Sequence, residues 1–296
     1  MQQSAYLSPR TLGEAIGVSQ SSLKRWADRG VLQVHRTAGG HRRIERREAL
    51  RFIRETGFKV LRPELLGLAS NGELDSYTDD SSSDFAKQFQ AALMQGDEES
   101  SRSLVLTWFS EGYCLATIFD VIFRPALKEI GEIWHTDPHG IAIEHRAIDI
   151  CLQIMGDLRG RFPDPTMDFT AIGCAPSGDP YLLPSAMIST SLAADGVRTV
   201  NLGPNFPIPA LLGAVKRESA QLVWLSVSHA DRKLALGEEI EQLRQSLDLS
   251  GIPLVIGGAQ HQQLMLQPNQ NLILGQSISE VLQFARECYP AAGSTQ

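Results

Sequence analysis

Apolar positions change their period along the chain, and the changes divide it. Near the start, Leu12, Ala15 and Ile16 share one helical face. Leu7-Ser8-Pro9 precedes them, with Ser8 suited to an N-cap and Pro9 to the first helical turn. Gly17-Val18-Ser19 reads as a tight turn. Ser19 then caps a second helix, Gln20 to Arg29, with Leu23 and Trp26 inward and Ser21, Ser22, Lys24 and Arg25 outward. A short strand, Val31 to His35, a glycine-tipped hairpin, Arg36 to Arg43, and a third helix, Arg46 to Glu55, ending at Gly57, complete a first domain over residues 1–72. Residues 73–83, which take in most of the acidic, serine-rich run Asp75 to Asp84, read as a flexible linker. Helical spacing resumes over residues 84–163. It predicts helices from Phe85 to about Gly96, from Glu98 to Glu111, from Leu115 to Trp134 with a bend near Pro125, and from Ile141 to Arg161, a four-helix bundle. Over residues 168–290 the period changes again. Continuous apolar runs, Phe169 to Cys174, Arg198 to Leu202, Leu222 to Val227, Leu254 to Ile256 and Leu272 to Leu274, alternate with helical segments. That alternation predicts a Rossmann-like α/β domain with a five-stranded parallel sheet covered on both faces. The fold class is a multidomain α+β protein.

At 296 residues the chain has room for these domains. No apolar run approaches the ~20 residues of a membrane span, and the N-terminus lacks the pattern of a signal peptide. Cys114, Cys151, Cys174 and Cys288 are scattered, as expected of thiols in a reducing cytoplasm rather than of a disulfide frame or zinc site. Charge alters the picture more. Residues 1–62 hold 13 Lys or Arg against 5 Asp or Glu, a net of +8, while the remainder holds 14 against 29, a net of -15. A basic end on an acidic body points to a polyanion partner for the first domain alone.

The two helices have helix-turn-helix geometry, the second fit for a major groove. Ser21, Ser22, Lys24 and Arg25 on that helix, with Arg36, His41, Arg42 and Arg43 on the hairpin, are the candidate contacts to double-stranded DNA. The runs L-K-R-W-A-D-R-G-V-L (Leu23 to Leu32) and R-T-A-G-G-H-R-R (Arg36 to Arg43) resemble the winged helix-turn-helix of MerR-type regulators over about 65 residues. Ile44 departs from the Tyr that many relatives carry there.

The turn A-P-S-G-D-P-Y-L-L-P, Ala175 to Pro184, lies between the first strand of the last domain and a helix expected over Tyr181 to Ala194. Such turns, at the carboxyl ends of parallel strands, are where open α/β folds bind ligands. It resembles the cobalamin-binding signature D-x-H-x-x-G, continued by S-x-L and G-G. Asp179 fills the first position, Ser226-Val227-Ser228 follows after the 41 residues that come after Pro184 (185–225), and Gly257-Gly258 after 28 more (229–256). Tyr181 stands in place of the cobalt-ligating His, Pro184 in place of the Gly beside which the corrinoid tail approaches, and Ser228 in place of Leu. Upstream, Trp134 and Glu144-His145, nine residues apart, resemble the helical cap of CarH-type light-sensing repressors, which use adenosylcobalamin. The resemblance implies that Trp134 and Glu144 enclose the adenosyl group and that His145 ligates the metal if cobalamin or haem binds.

Three states of the pocket stay open: cobalamin without a lower ligand from this domain; a bilin such as biliverdin, or haem, with Tyr181, His145 or Cys174 as contacts; or no ligand. Taken together, the resemblances imply a non-enzymatic regulator that binds operator DNA as a dimer or tetramer under control of a tetrapyrrole and of light. The alternatives are a ligand-independent MerR-type regulator and the corrinoid carrier module of a methyltransferase.

Overall fold

Ser8 and Ser19 start the first two helices as their chemistry requires: Ser8 accepts from the Thr11 N–H and Ser19 from the Ser22 N–H. The computed structural model describes residues 6–36, 40–45, 48–49, 52–53, 56, 63–66, 81–111, 113–162, 164–165, 167–268 and 270–289. They fall into two units, Met1–Ile150 with Gly160–Pro163, and Cys151–Arg159 with Asp164–Gln296.

In the first unit, β1 (Tyr6–Leu7), α1 (Pro9–Ile16), α2 (Gln20–Asp28), β2 (His35–Arg36) and β3 (Arg42–Glu45) form two helices and a small antiparallel sheet of order β1-β3-β2. Gly17 takes the left-handed conformation (φ 68°) that ends α1. Leu12, Leu23, Leu32 and Ile44 are buried with Phe52, each aliphatic side chain contributing ~1.5–3 kcal/mol. Ile44, the departure noted above, is thus a core residue. The strand expected from Val31 to His35 begins only at His35, because the Val31 and Leu32 N–H groups donate to the Trp26 carbonyl and wrap the end of α2. Of the expected third helix, Glu48, Ala49, Phe52 and Ile53 are helical; the rest, Gly57, the hairpin tip at 37–39 and linker residues 73–80 lie outside the described residues.

Four helical stretches follow: α3 (Ser81–Gln95), α4 (Glu98–Glu111), α5 and α6 (Gly140–Arg159). Helix α3 starts at Ser81, so Ser81 to Ser83 belong to it and not to the linker. Helix α5 runs as Leu115–Thr117, a π-helical stretch Ile118–Phe123, then Arg124–Gly131. The expected bend near Pro125 takes this form because proline cannot donate and its ring crowds the carbonyl four residues back, which the wider π turn relieves. The chain leaves the helix at Gly131, before Trp134, which sits in a 3-10 turn, Ile133–His135. Phe89 packs on Phe123 (4.6 Å between ring centroids) and on Trp108 (6.1 Å) at the centre.

In the second unit β4 (Thr170–Cys174), β5 (Arg198–Asn201), β6 (Leu222–Ser226), β7 (Leu254–Gly257) and β8 (Leu272–Leu274) form a parallel sheet of order β5-β4-β6-β7-β8. Between them run α7 (Leu183–Ala194), α8 (Ile208–Glu218) and α9 (Lys233–Asp248), and α10 (Ile278–Glu287) closes the fold. Ile172, Cys174, Val223, Leu225 and Ile256 share one hydrophobic core with Leu211 of α8 and Ile240 of α9. The strand order reverses between β4 and β6, and the loops after these two strands at the carboxyl edge are where open α/β sheets place ligands. Among the described residues no helix is long and apolar enough to cross a membrane.

Candidate functional site

Asp179, in the loop after β4, is fully buried. Its carboxylate accepts three backbone hydrogen bonds: Oδ1 from the Tyr181 N–H (3.0 Å), Oδ2 from the Ser228 (2.6 Å) and His229 (3.0 Å) N–H groups. The Asn205 N–H reaches the Asp179 carbonyl (3.0 Å), and Asn205 Oδ1 accepts from the Gly178 N–H (3.1 Å). Asp179 therefore clamps together the loops after β4, β5 and β6; its carboxylate is occupied by the fold and is not free for a ligand. The same clamp explains why α7 begins at Leu183 and not at the expected Tyr181: the Tyr181 N–H is held by the Asp179 side chain, ahead of the helix. The ring of Tyr181 is left 44% exposed at the edge.

Beneath this edge Trp224 of β6 is completely buried on the α7 face of the sheet. Its Nε1–H donates to Ser185 Oγ (2.9 Å), which donates to Asn201 Oδ1 (3.0 Å). The ring lies across Gly173 of β4, where any Cβ would overlap it. The space beside Pro184 and Ser185, where the resemblance would admit a corrinoid tail, is filled by this indole. Ser226, two residues on, is buried, while Ser228 takes part through its N–H. Gly258 (φ 100°) lies so close to Val227 that a Cβ would overlap its backbone, and a Cβ at Gly257 would meet the Gly275 carbonyl. Both glycines are explained by strand packing. Cys174 is not a ligand contact either: it is buried in the core shared with α8 and α9, and desolvation pushes its thiol up to about 12.

One residue of this edge was not singled out from the sequence. His229, in the loop after β6, is half-exposed, with Nε2 2.8 Å from Asp231 Oδ1. H-A-D in a loop carries no distinctive spacing; only the Asp179 clamp shows where it stands. His261, in the turn after β7, is buried with Nδ1 2.6 Å from the Gly258 carbonyl, and its Nε2 has no partner.

In the first unit, Gly140 begins α6 directly against Trp134, since a Cβ there would overlap the Trp134 backbone. Trp134, 51% exposed, therefore stands beside the first turns of α6, which carry Ile141 (58% exposed), partly buried Glu144 and exposed His145. Its ring lies 3.7 Å from that of His135. This is an exposed aromatic face at the start of the helix that carries Glu144 and His145. Arg146 fixes it: its Nη2–H donates to the Gly96 carbonyl (2.7 Å), tying α6 to the α3–α4 turn. Nothing in the sequence pattern marked Arg146.

Among the cations of the N-terminal elements, Lys24, Arg25, Arg36, His41 and Arg43 are exposed. Arg42 is partly buried and paired with Asp28 at the end of α2, so it braces the hairpin against the helix. Ser21 and Ser22 hydroxyls share hydrogen bonds with Ser19 at the start of α2.

At the sheet edge the half-exposed imidazole of His229 is a nitrogen donor of the kind a corrinoid metal takes; the Trp224 side of the sheet does not fit a buried tail. Residues 86–159 match the family described as B12 binding domain. No curated protein matches the chain. Solved structures similar to it include the monomethylamine corrinoid protein of Methanosarcina barkeri (16% identity, 69% of this chain and 98% of that chain, TM-score 0.51). Others are a cobalamin-binding protein from Desulfitobacterium hafniense DCB-2 (15%, 69% and 98%, TM-score 0.36) and the methanol:cobalamin methyltransferase complex MtaBC from Methanosarcina barkeri (16%, 80% and 92%, TM-score 0.36). The first of these likenesses shows a shared fold.

Proposed function

We propose that the chain is a DNA-binding regulator that takes a cobalamin-type corrinoid as its effector. The observation that carries the corrinoid is the match of residues 86–159, the part holding Trp134, Glu144 and His145, to a B12 binding domain. It favours cobalamin over a bilin or haem. The N-terminal elements support the DNA role: exposed Lys24 and Arg25 on a capped second helix, and exposed Arg36, His41 and Arg43 on the hairpin, in a segment of net charge +8. Toward a bound adenosylcobalamin, Trp134 offers an apolar face, Glu144 an acceptor for a ribose hydroxyl, and His145 a nitrogen donor. That cofactor supplies a light-cleavable bond to cobalt. Replacing Trp134 by Ala removes an exposed apolar face and is expected to weaken adenosylcobalamin binding at least tenfold by equilibrium dialysis.

The test titrates the purified chain with adenosylcobalamin, follows its absorption, and measures duplex DNA affinity with and without it, in darkness and after illumination. Corrinoid binding together with a corrinoid-dependent change in DNA affinity is expected. DNA binding with no bound corrinoid would leave a ligand-independent regulator. The fold shared with the monomethylamine corrinoid protein favours a second reading, a corrinoid carrier for methyl transfer. It wins if the chain binds cobalamin and accepts a methyl group on it, but shows no affinity for duplex DNA at low salt.

A further inference from the structure

We propose that, in the free chain, the acidic run Glu73 to Asp80 lies against the cations of α2 and the hairpin and competes with duplex DNA for them. The proposal rests on the DNA-binding reading above and adds to it a partner within the chain.

Its first support is the cationic face. Arg42 pairs with Asp28, which seats the base of the hairpin beside α2. Lys24 and Arg25 lie four and three residues before Asp28 and so share its side of that helix. Across the hairpin Arg36 stands directly opposite Arg42. Like charges so opposed destabilise a strand pair, and Asp28 brings one negative charge to two guanidinium groups. Arg10 is paired with Glu14. Lys24, Arg25, Arg36 and Arg43 are exposed, and none of the four has an ion-pair partner among the described residues. This surface is short of anions.

The second support is the sign of the adjoining chain. Between Arg62 and Lys87 there is no Lys or Arg, and Glu73, Asp75, Asp79 and Asp80 fall within eight residues. The third is reach. Leu66 is buried in the same core as Leu12 and Leu23, so the chain leaves that core beside α1 and α2. From residue 66 to residue 73 is ~23 Å of extended chain, and to residue 80 ~46 Å, at ~3.3 Å per residue. A helix is ~10–12 Å across, so the carboxylates reach the outer side of α2 with length to spare. A tether this short holds them at about millimolar effective concentration. Contacts of this kind are screened by salt, and duplex DNA, with about one charge per ~1.7 Å of its axis, displaces them.

Zero-length crosslinking with a carbodiimide tests the contact in the full-length protein before any DNA is added, since it joins the Lys24 amine only to a carboxylate that touches it. An amide between Lys24 and Glu73, Asp75, Asp79 or Asp80 is expected by mass spectrometry, and saturating duplex should remove it. Neutralising the run, Glu73→Gln with Asp75→Asn, Asp79→Asn and Asp80→Asn, should strengthen duplex binding ~10-fold at low salt, as loss of a tethered competitor does, and the gain should fade as salt rises. A control neutralises four exposed carboxylates elsewhere, Glu98→Gln, Glu129→Gln, Glu238→Gln and Glu287→Gln, and should gain less than about 2-fold. No crosslink from Lys24 to residues 73–80, unchanged affinity after the run is neutralised, or an equal gain in the control would each overturn the proposal and leave DNA binding standing. Failure of wild type and both variants to bind duplex at low salt would remove the DNA-binding reading and the competition with it.

Discussion

Gly173 and Trp224 are neighbours across β4 and β6, and the indole occupies the place of the missing side chain. Gly173→Ala forces the ring to move within a packed interior and is expected to cost ~1–3 kcal/mol, read as a lower urea midpoint with unchanged slope. Asp179→Ala leaves the Tyr181, Ser228 and His229 N–H groups without their acceptor. At ~1–3 kcal/mol for each buried donor left unmet, the loss should be several kcal/mol, whatever ligand is present. The thiols give a third check. Cys174, with its thiol pushed up to about 12, and buried Cys151, also raised by desolvation, should resist alkylation until the chain unfolds, while exposed Cys114 reacts in the native state. Because the Cys174 value is raised in the folded state, its contribution to stability is full below the ordinary thiol range and is lost as pH rises from there towards about 12. These pairings were not legible beforehand. L-V-W-L-S shows a buried strand but not what the indole fills, and the acceptor role of Asp179 joins groups 49 and 50 residues away.

Elements were read more successfully than their ends, and each shifted end has a local cause. Caps and periodicity located α1, α2 and α4, since Ser8, Ser19 and the apolar spacing act within a turn or two of the chain. Helix α7 was placed two residues early because Asp179 captures the Tyr181 N–H, and β2 was placed early because Leu32 turns inward to the core. The hairpin shows why equal residues in a sequence are unequal in space. Arg42 is engaged with Asp28, whereas Arg43 beside it is exposed. If the hairpin meets phosphate, Arg43→Ala should weaken binding to all duplexes alike and lower the slope of log affinity against log salt by about 1. Arg42→Ala should instead loosen the hairpin, lowering thermal stability as well as DNA affinity. Anisotropy titrations at several salt concentrations, with melting curves of both variants, separate the two roles; equal effects on affinity and none on melting would refute the distinction.

Across the whole molecule, charge and apolar surface are distributed unevenly. The basic residues concentrate before residue 63, while the more strongly exposed apolar side chains Trp134, Ile141, Leu234, Leu249 and Met265, each over 50% exposed, come later. No helix among the described residues following β3 and preceding α3 is long enough to pair two chains as a coiled coil. Residues 81 onward, where the bundle and the sheet each bury a core of their own, are where we expect self-association to arise. The fragment 81–296, begun at Ser81 so that the first turn of α3 is kept, should therefore oligomerise without the N-terminal elements. It should also retain corrinoid as well as the full chain does, and lose all affinity for DNA. Sedimentation velocity on the fragment, alone and with adenosylcobalamin, in darkness and after illumination, decides the first point. A monomer under every condition would place self-association in the N-terminal segment or on DNA itself, and an oligomer that forms only with the corrinoid would make the effector the agent of assembly.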